Sequence, residues 1–243
     1  IRDSLKSIDK QGIVVANLTK QAAEALANRR GVSVEVDPKR YLMAQSTPFG
    51  IPMVQATLLS QSNKTARKVC IIDTGYDMGH EDLPSDVTGQ ANNGSVGVWT
   101  NDGHGHGTHV AGTVAGLDNS VGVIGVYPDV DMHIVKIFND AGSWTSASDL
   151  IVGIQQCADA GANVVSMSLG GSGSSTSEAN AMQGFVDGGM MLIAAAGNDG
   201  NSSMSYPASY DAVVPVAAVD SSENVASCLL YTSDAADDVG WVG

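Results

Sequence analysis

The 243-residue sequence predicts an α/β fold, a doubly wound parallel sheet, preceded by a small α+β module. Three observations carry this expectation. From Arg67 onward, short and almost continuously apolar runs alternate with helical patterns, which is how a parallel sheet covered on both faces reads. Apolar residues make up 43% of the chain and charged ones 16%, enough for one good-sized core and a small attachment. The charge also changes sign: residues 1–43 carry 8 Lys/Arg against 5 Asp/Glu, and residues 44–243 carry 4 against 21. A basic piece therefore precedes a strongly acidic body, and the two should attract each other.

Taken in order, residues 12–43 read as strand, helix, strand. Gly12–Leu18 is apolar and β-branched, Thr19 can cap the Ala-rich stretch Lys20–Arg30, and Gly31 stops it. Val32–Val36 alternates as a half-buried strand should. In the larger part, Val69–Ile72 is a buried strand, followed by a small-residue helix over His106–Gly116. Met132–Ile137 is the next strand and Asp149–Ala160 the next helix. Val164–Met167, a Gly/Ser loop, a helix near Ser177–Asp187, and strands at Met191–Ala195 and Val213–Val219 complete the pattern.

Composition excludes several classes. A net charge of −14 argues against a protein that neutralises nucleic-acid phosphates. No run of 18 apolar residues is long enough to span a membrane. Three cysteines, Cys70, Cys157 and Cys228, form no complete disulfide framework. Cys70 and Cys157 read as small buried residues, and no zinc-ligand string is present. Gly103-His-Gly-His-Gly107 is glycine-rich, but it lacks the third glycine of a dinucleotide loop, and no phosphate-loop lysine string exists.

In a parallel sheet, chemistry gathers beyond the carboxyl ends of the strands. Asp73 ends the first strand of the larger part, Asp102-Gly-His-Gly-His106-Gly-Thr-His109 opens a helix, and Asn198 follows another strand. A carboxylate can orient an imidazolium, an imidazole can deprotonate a hydroxyl, and an amide N–H can donate to an oxyanion. On chemistry alone His104, His106 and His109 are rivals for the base.

Ile72-Asp-Thr-Gly75, His106-Gly-Thr-His-Val-Ala-Gly112, Ser168-Leu-Gly-Gly171 and Ala195-Ala-Gly-Asn-Asp-Gly200 resemble motifs of the subtilisin family of serine proteases. Tyr206-Pro-Ala-Ser-Tyr210 and Val216-Ala-Ala-Val-Asp220 do so too, and the resemblance spans roughly residues 30–227. The Asp-to-His spacing of 33 is close to the family's spacing of about 32.

The resemblance implies a subtilisin-like endopeptidase domain over residues 44–227. Asp73 would be the triad carboxylate, His106 the general base and Asn198 the oxyanion donor, with His109 structural. Ser168, Leu169 and Gly170 would pair with substrate beside the main specificity pocket, with Ala195 to Gly197 as the far wall and Gly142 and Ser143 as the opposite edge. Gln45, Asp82, Leu117, Asn119, Val121 and Val123 resemble the family's calcium ligands, offering carboxylate, amide and backbone oxygens.

It further implies that residues 1–43 are a prosegment remnant, an intramolecular inhibitor and folding assistant released by cleavage between Met43 and Ala44. A secreted monomer acting on protein or peptide substrates is expected, with an export signal outside these residues. The family's Gly-Thr-Ser-Met-Ala string is absent, and its serine would lie about 65 residues after Asn198, past Gly243. Ser233 lacks the preceding glycine and lies only 35 residues after Asn198. Residues 228–243 read as a non-family tail, and the 243 residues are expected to be inactive by themselves. A degenerate, non-catalytic peptide binder is the alternative.

Overall fold

A computed structural model describes residues 4–8, 12–36, 45–198, 200 and 203–226. The Met43–Ala44 junction, Cys228 and the tail 228–243 lie outside these described residues. The chain divides into two compact units, residues 1–42 and 43–243.

In the first unit, β1 (Ser4–Ile8) pairs antiparallel with β2 (Ile13–Ala16), and Ile8 faces Ile13 across the turn. The helix α1 (Lys20–Ala27) starts at Thr19, whose Oγ1 accepts from the Ala22 N–H at 3.2 Å. The expected strand Val32–Val36 is not formed: the segment is irregular and Val36 is 87% exposed. Alternation alone does not make a strand. A strand needs a partner for its N–H and C=O groups, and β2 pairs with β1 instead.

The second unit opens with a short helix α2 (Gly50–Met53) and two 3₁₀ turns. There follow β3 (Val69–Asp73), β4 (Thr88–Ala91), α3 (His106–Ala115), β5 (Met132–Lys136) and α4 (Ala147–Asp159). After these come β6 (Val164–Met167), α5 (Thr176–Asp187), β7 (Met191–Ala195) and β8 (Val213–Val216). The six strands β3–β8 form one sheet in the order β4-β5-β3-β6-β7-β8, every pair parallel. The parallel, two-faced sheet expected from the apolar runs is thus the observed one. The sequence reading did not anticipate β4, whose Thr-Gly-Gln-Ala carries almost no apolar signal.

Side chains alternate across a strand, and β3 divides its residues between two cores accordingly. Cys70 and Ile72 join Ile154 and Cys157 of α4 on one face. Ile71 joins Ala111 and Ala115 of α3 on the other. Cys70 and Cys157 are both fully buried and are bonded to each other, linking β3 to α4. Their burial matches the sequence reading, but the bond between them does not follow from an odd cysteine count.

Along the chain the sheet grows from β3 first towards β4 and β5 and then towards β6, β7 and β8. The carboxyl end of β3 is therefore a switch point of the topology, where crevices open in such sheets.

Candidate active site

Asp73 is the last residue of β3, at this switch point, and is 1% exposed. It lies two residues beyond Ile71, so it shares the face that α3 covers. His106 is the first residue of α3, and its Nδ1 lies 2.7 Å from Asp73 Oδ1. The same carboxylate oxygen accepts from the Thr74 N–H at 2.7 Å. Nearly half of the His106 side chain is exposed, whereas that of Asp73 is 2% exposed.

Gly107 explains how the helix start comes so near the strand end. It is buried, and a Cβ there would overlap the Gly75 carbonyl and lie 3.1 Å from the Asp73 Cβ. Gly75 itself has φ +122°, a conformation that favours glycine.

Asp102 anchors the loop ahead of α3. Its Oδ1 accepts from Thr74 Oγ1 at 2.8 Å and the Gly105 N–H at 2.9 Å. Its Oδ2 accepts from the Thr108 N–H at 2.8 Å and Thr108 Oγ1 at 2.6 Å. Burial pushes this carboxyl's pKa up, but the bonds from Thr108, Gly105 and Thr74 outweigh it and hold the pKa below the ordinary value. Asp102 thus acts on the helix start. The sequence reading noticed it only as part of a cluster.

The three rival histidines separate in space. Only His106 is paired with Asp73. The His104 ring lies edge-on to that of His106 with centroids 6.1 Å apart, and a Cβ on Gly142 would sit 3.1 Å from it. His109 is exposed, one turn along α3.

The remaining expected residues lie around the same rim. Ser168, Leu169 and Gly170 directly follow β6, the strand next to β3. Met167 pairs with Ala194, so this segment leaves the sheet beside Ala195, Ala196 and Gly197 at the end of β7. Leu169 packs against the α4–α5 core. On the opposite side, Gly142 and Ser143 lie in the loop after β5, held by Asn139, whose Oδ1 accepts from the Ser143 N–H at 3.1 Å. Two chain segments therefore flank the β3 end. Asn198 is exposed and lies three residues past β7, which only β6 separates from β3, about 10 Å laterally at the usual strand spacing.

A second group of expected residues surrounds Asp82, which is 4% exposed. Its Oδ2 accepts from the Val123 N–H at 2.7 Å and its Oδ1 from Asn119 Nδ2 at 2.9 Å. Gln45 Nε2 donates to the Leu117 carbonyl at 2.5 Å, and the Val121 N–H donates to Asn119 Oδ1 at 2.6 Å. Gly122 has no room for a side chain, because a Cβ would collide with the Asp82 carboxylate. Among the described residues no lysine, arginine or histidine forms an ion pair with Asp82. None of the described His, Cys, Asp and Glu side chains form a group of three that could hold a metal. The available donors are one carboxylate with amide and backbone oxygens. A half-turn of the Gln45 amide brings its oxygen to the position its nitrogen now holds beside the Leu117 carbonyl, while the Asn119 oxygen is fixed by the Val121 N–H. The group therefore fits a hard cation that would supply the missing positive charge.

Comparison with known proteins identifies the family of the chain. The model of the Subtilase family matches residues 64–238. Subtilisin DY of Bacillus licheniformis is 45% identical over 190 residues, covering 76% of this chain and 68% of that protein. An alkaline protease of Alkalihalobacillus alcalophilus is 36% identical over 222 residues, covering 90% of this chain and 57% of that one. The crystal structure of the psychrophilic subtilisin-like protease Apa1 from Pseudoalteromonas sp. AS-11 superposes with a TM-score of 0.71 at 49% identity. That match covers 77% of this chain and 44% of the Apa1 chain.

Proposed function

Because the chain belongs to the subtilase family, we propose that the protein is a serine endopeptidase in which Asp73 and His106 activate a serine that is not among these 243 residues. The observation that carries this reading is the 2.7 Å pairing of a buried carboxylate with a half-exposed imidazole at the switch point of the sheet. With Nδ1–H donated to Asp73, the His106 Nε2 is left as an acceptor for the proton of an attacking hydroxyl. Asp73 then stabilises the imidazolium that forms. Asn198 would donate to the tetrahedral oxyanion. Removing one such donor costs about 2.7–4 kcal/mol, a figure measured in subtilisin itself.

Substrate would lie as an added strand between Ser168–Gly170 and Gly142–Ser143, across the end of β3. The walls at Ala195 and Gly197 are small and leave space for an apolar side chain. Gln45, Asp82, Leu117, Asn119, Val121 and Val123 would hold calcium, which supplies rigidity to this loop rather than chemistry. Residues 1–43, with their basic excess, would act as an inhibitor of the acidic domain until cleaved after Met43. Export from the cell is supported by the Cys70–Cys157 disulfide, since such bonds persist in oxidising surroundings.

The test is hydrolysis of an unfolded protein by the complete protein, followed with and without a serine-directed fluorophosphonate. The reading expects cleavage that the reagent abolishes and that His106→Ala reduces by several orders of magnitude. A complete, folded protein that cleaves nothing and takes up no reagent overturns it.

A further inference from the structure

We propose that Lys136 is a positioning residue for the Asp73–His106 pair, one buried ammonium that ties together the three chain segments forming the site. The inference rests on the peptidase reading above.

Lys136 ends β5 and pairs with Asp73 in the parallel β3–β5 register. It is 1% exposed, a rare condition for a lysine, and an ammonium is tolerated in the interior only where its donors are all met. A lysine has three protons to donate. Here Nζ donates to the carbonyl of Thr74, to the carbonyl of Asn101 at 3.3 Å, and to Asp140 Oδ1 at 2.8 Å.

The acceptors are what give the cluster its meaning. Thr74 is the residue after Asp73, and its hydroxyl accepts from the Gly107 N–H in the first turn of α3. Asn101 begins the loop that runs through Asp102 and His104 to His106. Asp140 lies in the loop that leads to Gly142 and Ser143. Asp140 reaches back as well: its Oδ1 accepts from the Gly103 N–H and its Oδ2 from Asn101 Nδ2, each at 3.2 Å. Gly75 leaves space for the ammonium, because a Cβ there would stand 3.3 Å from Nζ and 2.8 Å from the Asn101 carbonyl. The bond from Lys136 and that from Gly103 hold the Asp140 carboxyl below its usual pKa, so it stays charged opposite Lys136.

Any buried ammonium needs acceptors, but these three come from the segments that carry the reacting groups. Lys136 joins the carboxylate segment, the imidazole segment and the substrate edge at a single atom. Loss of that joint should misplace the reacting groups while leaving the sheet intact.

Asp140 is half-exposed and can be replaced without emptying the core, so its variants test the joint. In the complete protein, Asp140→Ala is expected to lower kcat about 10-fold with KM within about 2-fold of wild type, because small misplacements act on the reacting geometry. Asp140→Asn keeps an oxygen for Lys136 and should recover most of the loss. The downfield Nδ1 proton resonance of His106 gives a reading independent of turnover, and it should shift or broaden in Asp140→Ala. Wild-type kcat and an unmoved resonance in Asp140→Ala overturn the proposal. An inactive wild-type protein would instead refute the peptidase reading, and the resonance alone would then decide the role of Lys136.

Discussion

Cys70 is bonded to Cys157, so the strand that ends in Asp73 is tied to α4 three residues below the carboxylate. The two residues are 87 apart in sequence, and both are fully buried in the α4-side core.

The bond restricts the unfolded chain over a long loop and should stabilise the fold by about 2–4 kcal/mol. Replacing both cysteines by alanine should lower the thermal midpoint correspondingly. Because the bond is buried, a mild reductant should leave it intact in the native protein and lower the midpoint only through the unfolded molecules it reaches on heating. Thermal unfolding of wild type and the double variant, with and without reductant, checks both statements.

Gly107 sets the approach of α3 to the strand end. Gly107→Ala should push the helix start from Gly75 and lengthen the Asp73–His106 contact. The expected result is a drop in kcat of roughly 10²-fold, with the far-UV circular dichroism of a folded protein. Steady-state kinetics on a peptide substrate makes the comparison.

His133 makes the fold sensitive to acid. It is 7% exposed in β5, with Nδ1 2.9 Å from Thr88 Oγ1 and Nε2 buried without a partner. Burial lowers its pKa, the Lys68 charge adds to this, and Asp131 opposes it. A histidine whose folded pKa is depressed takes up its proton more readily when unfolded. Its contribution is therefore fully present above the ordinary value of about 6.5 and is lost as pH falls below it. The thermal midpoint should decline from pH 7 towards pH 5, and His133→Gln, which takes up no proton, should flatten part of that decline.

The loop around Asp82 should respond to calcium. Added calcium should raise the thermal midpoint and a chelator should lower it, with about 2.7 kcal/mol expected at a hundredfold excess over Kd. Asp82→Ala removes the one carboxylate of the group and should abolish the response. Calorimetric scans across a calcium series read the effect.

Much of the candidate site was legible because its parts sit at ends of elements. Val69–Ile72 is continuously apolar, so the polar Asp73 after it marks a strand end. The small residues of the helix from His106 mark close packing on that strand. Three features escaped for physical reasons. Lys136 closes an apolar strand, and nothing local says that its ammonium turns inward, since its three acceptors come from segments 4 to 62 residues away. The edge strand β4 has no apolar alternation and is held by its neighbour β5 and by Trp99 packed over Gly89. Val32–Val36 has the alternation but no ladder partner among the described residues, so pattern without pairing misled there.

The account centres on Asp73 holding His106 in the tautomer that can accept a proton from the nucleophile. The most direct measurement is kcat of the complete protein as Asp73→Asn near neutral pH. An amide keeps the shape but favours the wrong tautomer, so a loss of about 10⁴-fold is expected in a folded protein. An Asp73→Asn enzyme within about tenfold of wild type would contradict the account.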